Sequence, residues 1–298
     1  MQRLNIESSF LDLVVHKADD DICSVFIVCD LDPSYLSSTL EFLNSFSSLK
    51  SLSKTFSVVS IEDFLSWGLD FNLSAEVLCL HLSLDNEIKN HKLISDHAFK
   101  LGLKQLNPYN SLAELCDNKF LFYNFMLAQG FKQARTCYLE KNSSKAEIYS
   151  ILDNLTASGM DSFLLKPCFG TESIDQYAFK LNGFSLKLDS IIEKITMIQR
   201  YDSLIIQEKL EFKEEYKIVF LYDNVFSAKA LSEKILAFCL QLLAAFKDSA
   251  RLKSEFMSDV FSIDLLELAS EDLVILEANA RPAAIFKCVK HSYYLGGF

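Results

Sequence analysis

The residues of this 298-residue chain best suited to chemistry lie near its end. Asp264 sits in Phe261-Ser262-Ile263-Asp264-Leu265, and Glu277 and Asn279 sit in Val274-Ile275-Leu276-Glu277-Ala278-Asn279-Ala280-Arg281-Pro282. Both runs are apolar and β-forming. Side chains alternate along a strand, so Glu277 and Asn279 point the same way, and a hairpin turn around Ala269 to Asp272 folds Asp264 back beside them. Three oxygen-bearing side chains then converge. Hard oxygen ligands suit magnesium, or manganese in its place, an ion that keeps several waters and takes one or two carboxylates together with substrate phosphates. On this stretch alone, an ordinary hairpin with exposed polar residues is the alternative.

Two upstream segments supply what such an ion needs beside it. Asp161-Ser162-Phe163-Leu164-Leu165-Lys166-Pro167 brings an apolar strand to a lysine and runs into Cys168-Phe169-Gly170-Thr171-Glu172-Ser173, a loop of small and polar residues. Backbone N–H groups of such a loop can line phosphate oxygens while Lys166 adds a point charge. Further on, Leu204-Ile205-Ile206-Gln207-Glu208-Lys209-Leu210 is a strand ending at a polar pair, and Glu214-Glu215-Tyr216-Lys217-Ile218-Val219-Phe220 opens another. The linker between them can offer backbone groups to an adenine edge and a carboxylate to ribose hydroxyls.

In order and spacing these segments resemble the ATP-grasp superfamily over roughly Asn107 to Pro282, opening with Asn107-Pro108, then Asp117-Asn118-Lys119, a helix, and Gly130 to Thr136. The resemblance implies Lys119 and Lys166 as phosphate lysines, with Gly170 and Ser173 in the phosphate loop. It implies Gln207, Glu208, Lys209 and Leu210 around adenine, Glu215 on the ribose, and Asp264, Glu277 and Asn279 on magnesium. Arg281 would then stand near the transferred phosphoryl group, with Lys229 and Lys217 beside it in a cationic rim. The implied fold class is α/β: an N-terminal α/β pre-ATP-grasp domain (1–106), then a two-subdomain ATP-grasp α+β nucleotide-binding fold (107–298). The latter divides into a small lid subdomain at about 120–205 and a metal-binding subdomain at about 206–298. The implied activity joins a carboxylate to an amine through an acyl phosphate, using ATP and magnesium and releasing ADP and phosphate. Its acceptor is an amino acid, a peptide or a protein-borne amine.

Three departures from the family pattern stand out. The loop has Gly170 but no second glycine, and glycine is what allows positive φ and close backbone approach. Lys217 stands where an arginine is common, which replaces a planar fork with a point charge. The stretch from Ala230 to Asp264 is compact, dominated by one amphipathic run, and leaves the acceptor pocket open. These departures keep two other expectations in view: a degenerate ATP-grasp protein that binds nucleotide or a partner without ligase turnover, and an unrelated α/β binding module.

Upstream, Ile22 to Cys29, Phe56 to Ser60 and Glu76 to Leu82 read as strands, with helices near Tyr35 to Phe46 and His97 to Leu103, the alternation of an α/β sheet. Half the residues are hydrophobic, enough for a core without external staples. A net charge of −11 with scattered basic residues argues against a nucleic-acid partner, which needs a clustered cationic face. Eight cysteines show no C-x-x-C spacing, and several sit in apolar runs where thiols act as small hydrophobes. The longest apolar run, Ile235 to Phe246, falls short of the ~20 residues that span a bilayer, and no signal pattern opens the chain. A cytoplasmic protein without a membrane partner is expected, with homo-oligomerisation left open. The histidines lack metal spacing; His81 reads as a core or cleft residue and Cys168 as packing.

Overall fold

The computed structural model describes residues 23–30, 54–68, 75–80, 82, 86–140, 142–160, 162–169, 176–180, 193, 203–221, 224–248, 259–282, 288 and 291–294. The helix expected near Tyr35 to Phe46, the loop residues Gly170 and Ser173, and His81 lie outside the described residues.

Short β-branched and apolar runs near the start form a parallel sheet of order β2-β1-β3-β4, from β1 (Cys23–Cys29), β2 (Lys54–Ser60), β3 (Ala75–Cys79) and β4 (Lys104–Gln105). Helices α1 (Ile61–Leu65) and α2 (Glu87–Lys100) bury Phe64, Ile94 and Ala98 against Phe26, Val28 and Val77. The helix expected at His97 to Leu103 is the end of α2, which starts at Glu87. Its buried residues His91, Ile94, Ser95 and Ala98 recur at helical spacing, and the polar residues among them mask that stripe in the sequence.

Two capped helices follow. The Asn110 side chain accepts from the backbone N–H groups of Leu112 and Ala113 to start α3 (Ser111–Asp117), and Asn118 accepts from Leu121 to start α4 (Lys119–Ala128). Gly130, at φ +80°, ends α4, where an L side chain would be strained.

An antiparallel sheet of order β5-β8-β6-β7 comes next, from β5 (Thr136–Glu140), β6 (Ser162–Pro167), β7 (Tyr177–Lys180) and β8 (Ser203–Glu208). One face is covered by α5 (Lys145–Ala157), whose Ile148, Leu152 and Leu155 pack on Leu139, Phe163, Leu165 and Ile206. The other face is free of this core and carries Thr136, Tyr138, Leu164, Lys166, Ile205 and Gln207, as strand alternation requires.

A second antiparallel sheet has the order β12-β11-β9-β10-β13, from β9 (Glu214–Leu221), β10 (Asn224–Ser227), β11 (Val260–Glu267), β12 (Leu273–Asn279) and β13 (His291–Tyr294). Helix α6 (Glu233–Asp248) and helices α3 and α4 share a core with one of its faces, through Ile218, Phe220, Phe261, Ile263, Leu265 and Ile275. The register of β11 on β12 slips once: Asp264 faces Glu277 and Leu265 faces Ile275, so Leu276 is an extra residue. That β-bulge inverts the alternation. Leu273 and Ile275 point into the core before it, Ala278 and Ala280 point there after it, and Glu277 and Asn279 emerge on the opposite face.

Candidate functional site

Opposite the core, Lys217, Asp264 and Glu277 stand in one cross-strand row on β9, β11 and β12, with Ser262 opposite Asn279 in the next row and Glu215 two residues before Lys217. Directly opposed residues hold their side chains close enough to interact. Lys217 Nζ donates to Asp264 Oδ2 at 2.8 Å. Burial pushes the Asp264 carboxyl above its usual range; Lys217 opposes that shift and the like charge of Glu277 reinforces it. Burial disfavours charge on Lys217, but the attraction of Asp264 outweighs it and raises the lysine. Glu277 Oε2 is buried and has no hydrogen-bond partner among the described residues.

Two carboxylates and a neutral amide thus share one face; no group of three or more His, Cys, Asp or Glu that could hold a metal occurs among the described residues. The donors are all hard oxygens and one of them is orphaned, which fits magnesium or manganese completing its shell with water and phosphate.

The sheet of β5, β8, β6 and β7 faces this row. Lys166 on β6 is 4% exposed, and the charges that act on it are Glu277, Lys119, Asp264 and Glu215. Burial lowers its pKa, with Glu277 opposing. Around Lys166 the sheet presents Ile205 and Tyr138 in its own row, then Leu164, Gln207 and Thr136 in the next. Gln207 is buried, donates from Nε2 to Thr136 Oγ1 at 3.3 Å, and leaves Oε1 without a partner. Apolar floor, orphaned amide oxygen and buried lysine together suit a flat heterocycle followed by phosphates.

Lys119 is brought to the same place by the backbone. Its N–H donates to the Cys168 carbonyl at 2.9 Å, Asn118 bridges Phe169, and Cys168 Sγ lies 3.1 Å from Asn118 Oδ1. The start of α4 is thereby clipped to the residues that follow β6. Cys168, expected as a packing residue, is fully buried in that clip.

Other expected residues are placed differently. Glu208 directs its carboxylate at Arg135, accepting from Nε at 2.9 Å and Nη2 at 2.7 Å, and the hydrogen bonds from Arg135 hold it below the usual carboxylate range. It is a strut between the end of β8 and Arg135, the residue before β5. Lys209 donates its N–H to the Ser162 carbonyl at 2.9 Å, and Leu210 is half-buried beyond it. Lys229 is exposed, ion-paired with Glu214, bonded to the Glu215 carbonyl at 2.8 Å, and lies over the Tyr216 ring; it braces the start of β9.

Arg281 departs furthest from expectation. Its side chain is 2% exposed and its guanidinium donates to Glu87 at 2.7 Å, to Asp117 at 2.5 and 3.3 Å, and to His91 Nδ1 at 2.8 Å. Nearly all of its donors are engaged, so it cannot also grip a phosphoryl group. His91 donates from Nε2 to the Asn107 carbonyl at 2.7 Å, and burial followed by Arg281 lowers its pKa to about 3, so the ring is neutral. Asn107 completes the cluster: Oδ1 accepts from the Cys79 N–H, and Nδ2 donates to the carbonyls of Cys79 and Ala280. Arg281 and Asn107 therefore lock the first sheet and α2 to the end of the strand that carries Glu277 and Asn279.

Sequence reasoning did not reach Arg135, His91, Glu87 or the bulge at Leu276. Only the bulge left a local signal, the switch of apolar parity from Leu273 and Ile275 to Ala278 and Ala280.

No protein-family model and no curated protein matches this sequence. Solved structures do match its fold. A D-alanine–D-alanine ligase from Coxiella burnetii aligns over 91% of this chain and 88% of its own, with a TM-score of 0.63 at 15% identity. A RimK domain protein ATP-grasp from Sphaerobacter thermophilus aligns over 90% of this chain and 98% of its own, with a TM-score of 0.58 at 10% identity. The macrocyclase MdnC from Microcystis aeruginosa, solved with its precursor peptide MdnA, aligns over 90% of this chain and 98% of its own, with a TM-score of 0.57 at 13% identity. Three sheets, the facing rows between two of them, and this breadth of alignment identify the chain as having the ATP-grasp fold.

Proposed function

We propose that the protein is an ATP- and magnesium-dependent ligase that joins a carboxylate to an amine, releasing ADP and phosphate. The observation that carries this reading is the buried Lys166 of the lid set among Glu277, Asp264 and Glu215 of the facing sheet. Cationic phosphate contact and hard-oxygen metal ligands are thus on opposite walls of one cleft, the arrangement phosphoryl transfer requires.

Lys119 and Lys166 hold the α- and β-phosphates, Gln207 to Leu210 flank adenine, and Glu215 meets the ribose. Asp264, Glu277 and Asn279 would hold the metal, which when bound would supply positive charge against the phosphates. The substrate carboxylate takes the γ-phosphoryl group and leaves ADP; the amine then attacks the acyl phosphate and expels phosphate. Catalysis is by positioning and charge, and no side chain is placed as a general base.

One structure that resembles this chain in fold is a D-alanine–D-alanine ligase, and another, MdnC, was solved with a precursor peptide. An ADP-release screen over amino-acid pairs and short acidic peptides tests the reading, with magnesium omitted as the control. Magnesium-dependent ADP release that requires both an acid and an amine supports it. Nucleotide binding without turnover on any pair would leave the degenerate ATP-grasp protein as the better description.

A further inference from the structure

We infer that Lys217 is an internal counter-ion that keeps the metal position closed until nucleotide arrives; the inference rests on the ligase reading above. Lys217 Nζ is bonded to Asp264 Oδ2 at 2.8 Å, so a cation already occupies a carboxylate that a divalent ion needs. The other carboxylate is prepared differently. Glu277, directly opposite Asp264 in the strand register, keeps Oε2 buried and without a hydrogen-bond partner among the described residues. One ligand is therefore ready and one is blocked.

The charge balance points the same way. Around the cleft Glu215, Asp264 and Glu277 are matched by Lys119, Lys166 and Lys217. Among the described residues these charges cancel, so a bare divalent ion gains little attraction from them and must also displace an ammonium group from Asp264 Oδ2. A polyphosphate reverses that balance. Its negative charge draws Lys217, whose side chain is 46% exposed on a flexible four-carbon stem, away from Asp264 and onto a phosphate or substrate carboxylate oxygen. Asp264 is then free for the ion that arrives with the nucleotide. Metal binding and nucleotide binding are thereby coupled through one lysine that changes partner. An arginine would make this exchange harder, because its planar fork would grip Asp264 with two bonds where the ammonium makes one.

The test uses Mn2+ as the probe, followed by loss of the free-ion paramagnetic resonance signal, on the full chain with and without a non-hydrolysable ATP analogue. Lys217→Met and Lys217→Gln are both made, so that loss of the fold in one leaves the other as the measure. Without nucleotide, wild type binds Mn2+ weakly and each folded variant binds it at least about tenfold more tightly, because a positive charge beside the ion has been removed. With the analogue present, wild type gains Mn2+ affinity and the gap narrows. Equal Mn2+ affinity of wild type and variants without nucleotide overturns the inference, while nucleotide-dependent Mn2+ binding in wild type leaves the metal-site reading standing. Failure of wild type to bind Mn2+ even with the analogue overturns both.

Discussion

Replacing Arg281 by leucine separates two roles for one residue. If Arg281 gripped a transferring phosphoryl group, its loss would abolish turnover and leave the fold untouched. The structure predicts the reverse order of effects. Leucine removes the guanidinium that bonds Asp117 and Glu87 and strips His91 Nδ1 of its hydrogen-bond donor. Asp117 is 7% exposed, and burial already pushes its carboxyl above the usual range even with Arg281 opposing. Breaking a buried pair by removing one partner costs about 3–5 kcal/mol, because the remaining charge is left uncompensated. For a chain of this size each kcal/mol shifts Tm by ~2–4 °C, so the variant should melt roughly 10 °C lower. Differential scanning fluorimetry without ligand measures it directly, and Arg281→Lys, which retains the charge without the fork, should recover only part of the loss. A variant that melts like wild type yet turns over no ATP would refute the reasoning and return Arg281 to the phosphoryl group.

Three further outcomes follow from the site. Glu277→Gln should leave the ligand-free stability within about 1 kcal/mol of wild type and remove several kcal/mol of transition-state stabilisation; wild-type ADP formation in a coupled assay would exclude Glu277 as a metal ligand. Lys166→Met keeps the alkyl stem and removes a charge that burial disfavours. Its ligand-free stability should therefore hold, while calorimetry should show ATP binding weakened by about tenfold or more, the loss of one charge-assisted contact; unchanged affinity would place the phosphates elsewhere. His91 is held neutral, its pKa lowered to about 3 against 6.5 in the unfolded chain. The unfolded chain binds a proton between those values that the folded one does not, so this contribution is complete above the unfolded pKa and is lost as pH falls, by up to ~1.4 kcal/mol per pH unit. The stability gap between wild type and His91→Gln in urea unfolding should accordingly shrink from about pH 7 to about pH 4, and a constant gap would mean that His91 is not buried neutral.

How far the sequence reveals this molecule depends on the distance its signals must cross. The β11–β12 hairpin was legible because alternation and a turn are local: Leu268 and Asp272 close it backbone to backbone, and Asp264 comes to rest opposite Glu277. The strand before Lys166 was legible for the same reason. The slip at Leu276 was written in the apolar parity but is visible only when strand faces are counted on both sides of Glu277. Arg281 was misplaced because its partners Asp117, His91 and Glu87 lie 164, 190 and 194 residues upstream, and no spacing rule connects them. The Arg135–Glu208 strut, 73 residues apart, is hidden in the same way. Length of contact, more than residue type, divides what was read from what was not.

The Asn107 clamp also dictates an order of assembly. Its amide satisfies Cys79, 28 residues upstream, through both a donor and an acceptor, but its bond to Ala280 must wait for a residue 173 positions later. A chain emerging from the ribosome can therefore complete its first sheet against Asn107 long before β12 exists. During that interval Glu87 and Asp117 have no guanidinium to meet, and water must serve them. Contacts of such sequence separation form late because loop closure precedes any return from them. The strand that bears Glu277 and Asn279 is seated last, so a chain that stalls short of Arg281 holds a finished first sheet and no working cleft.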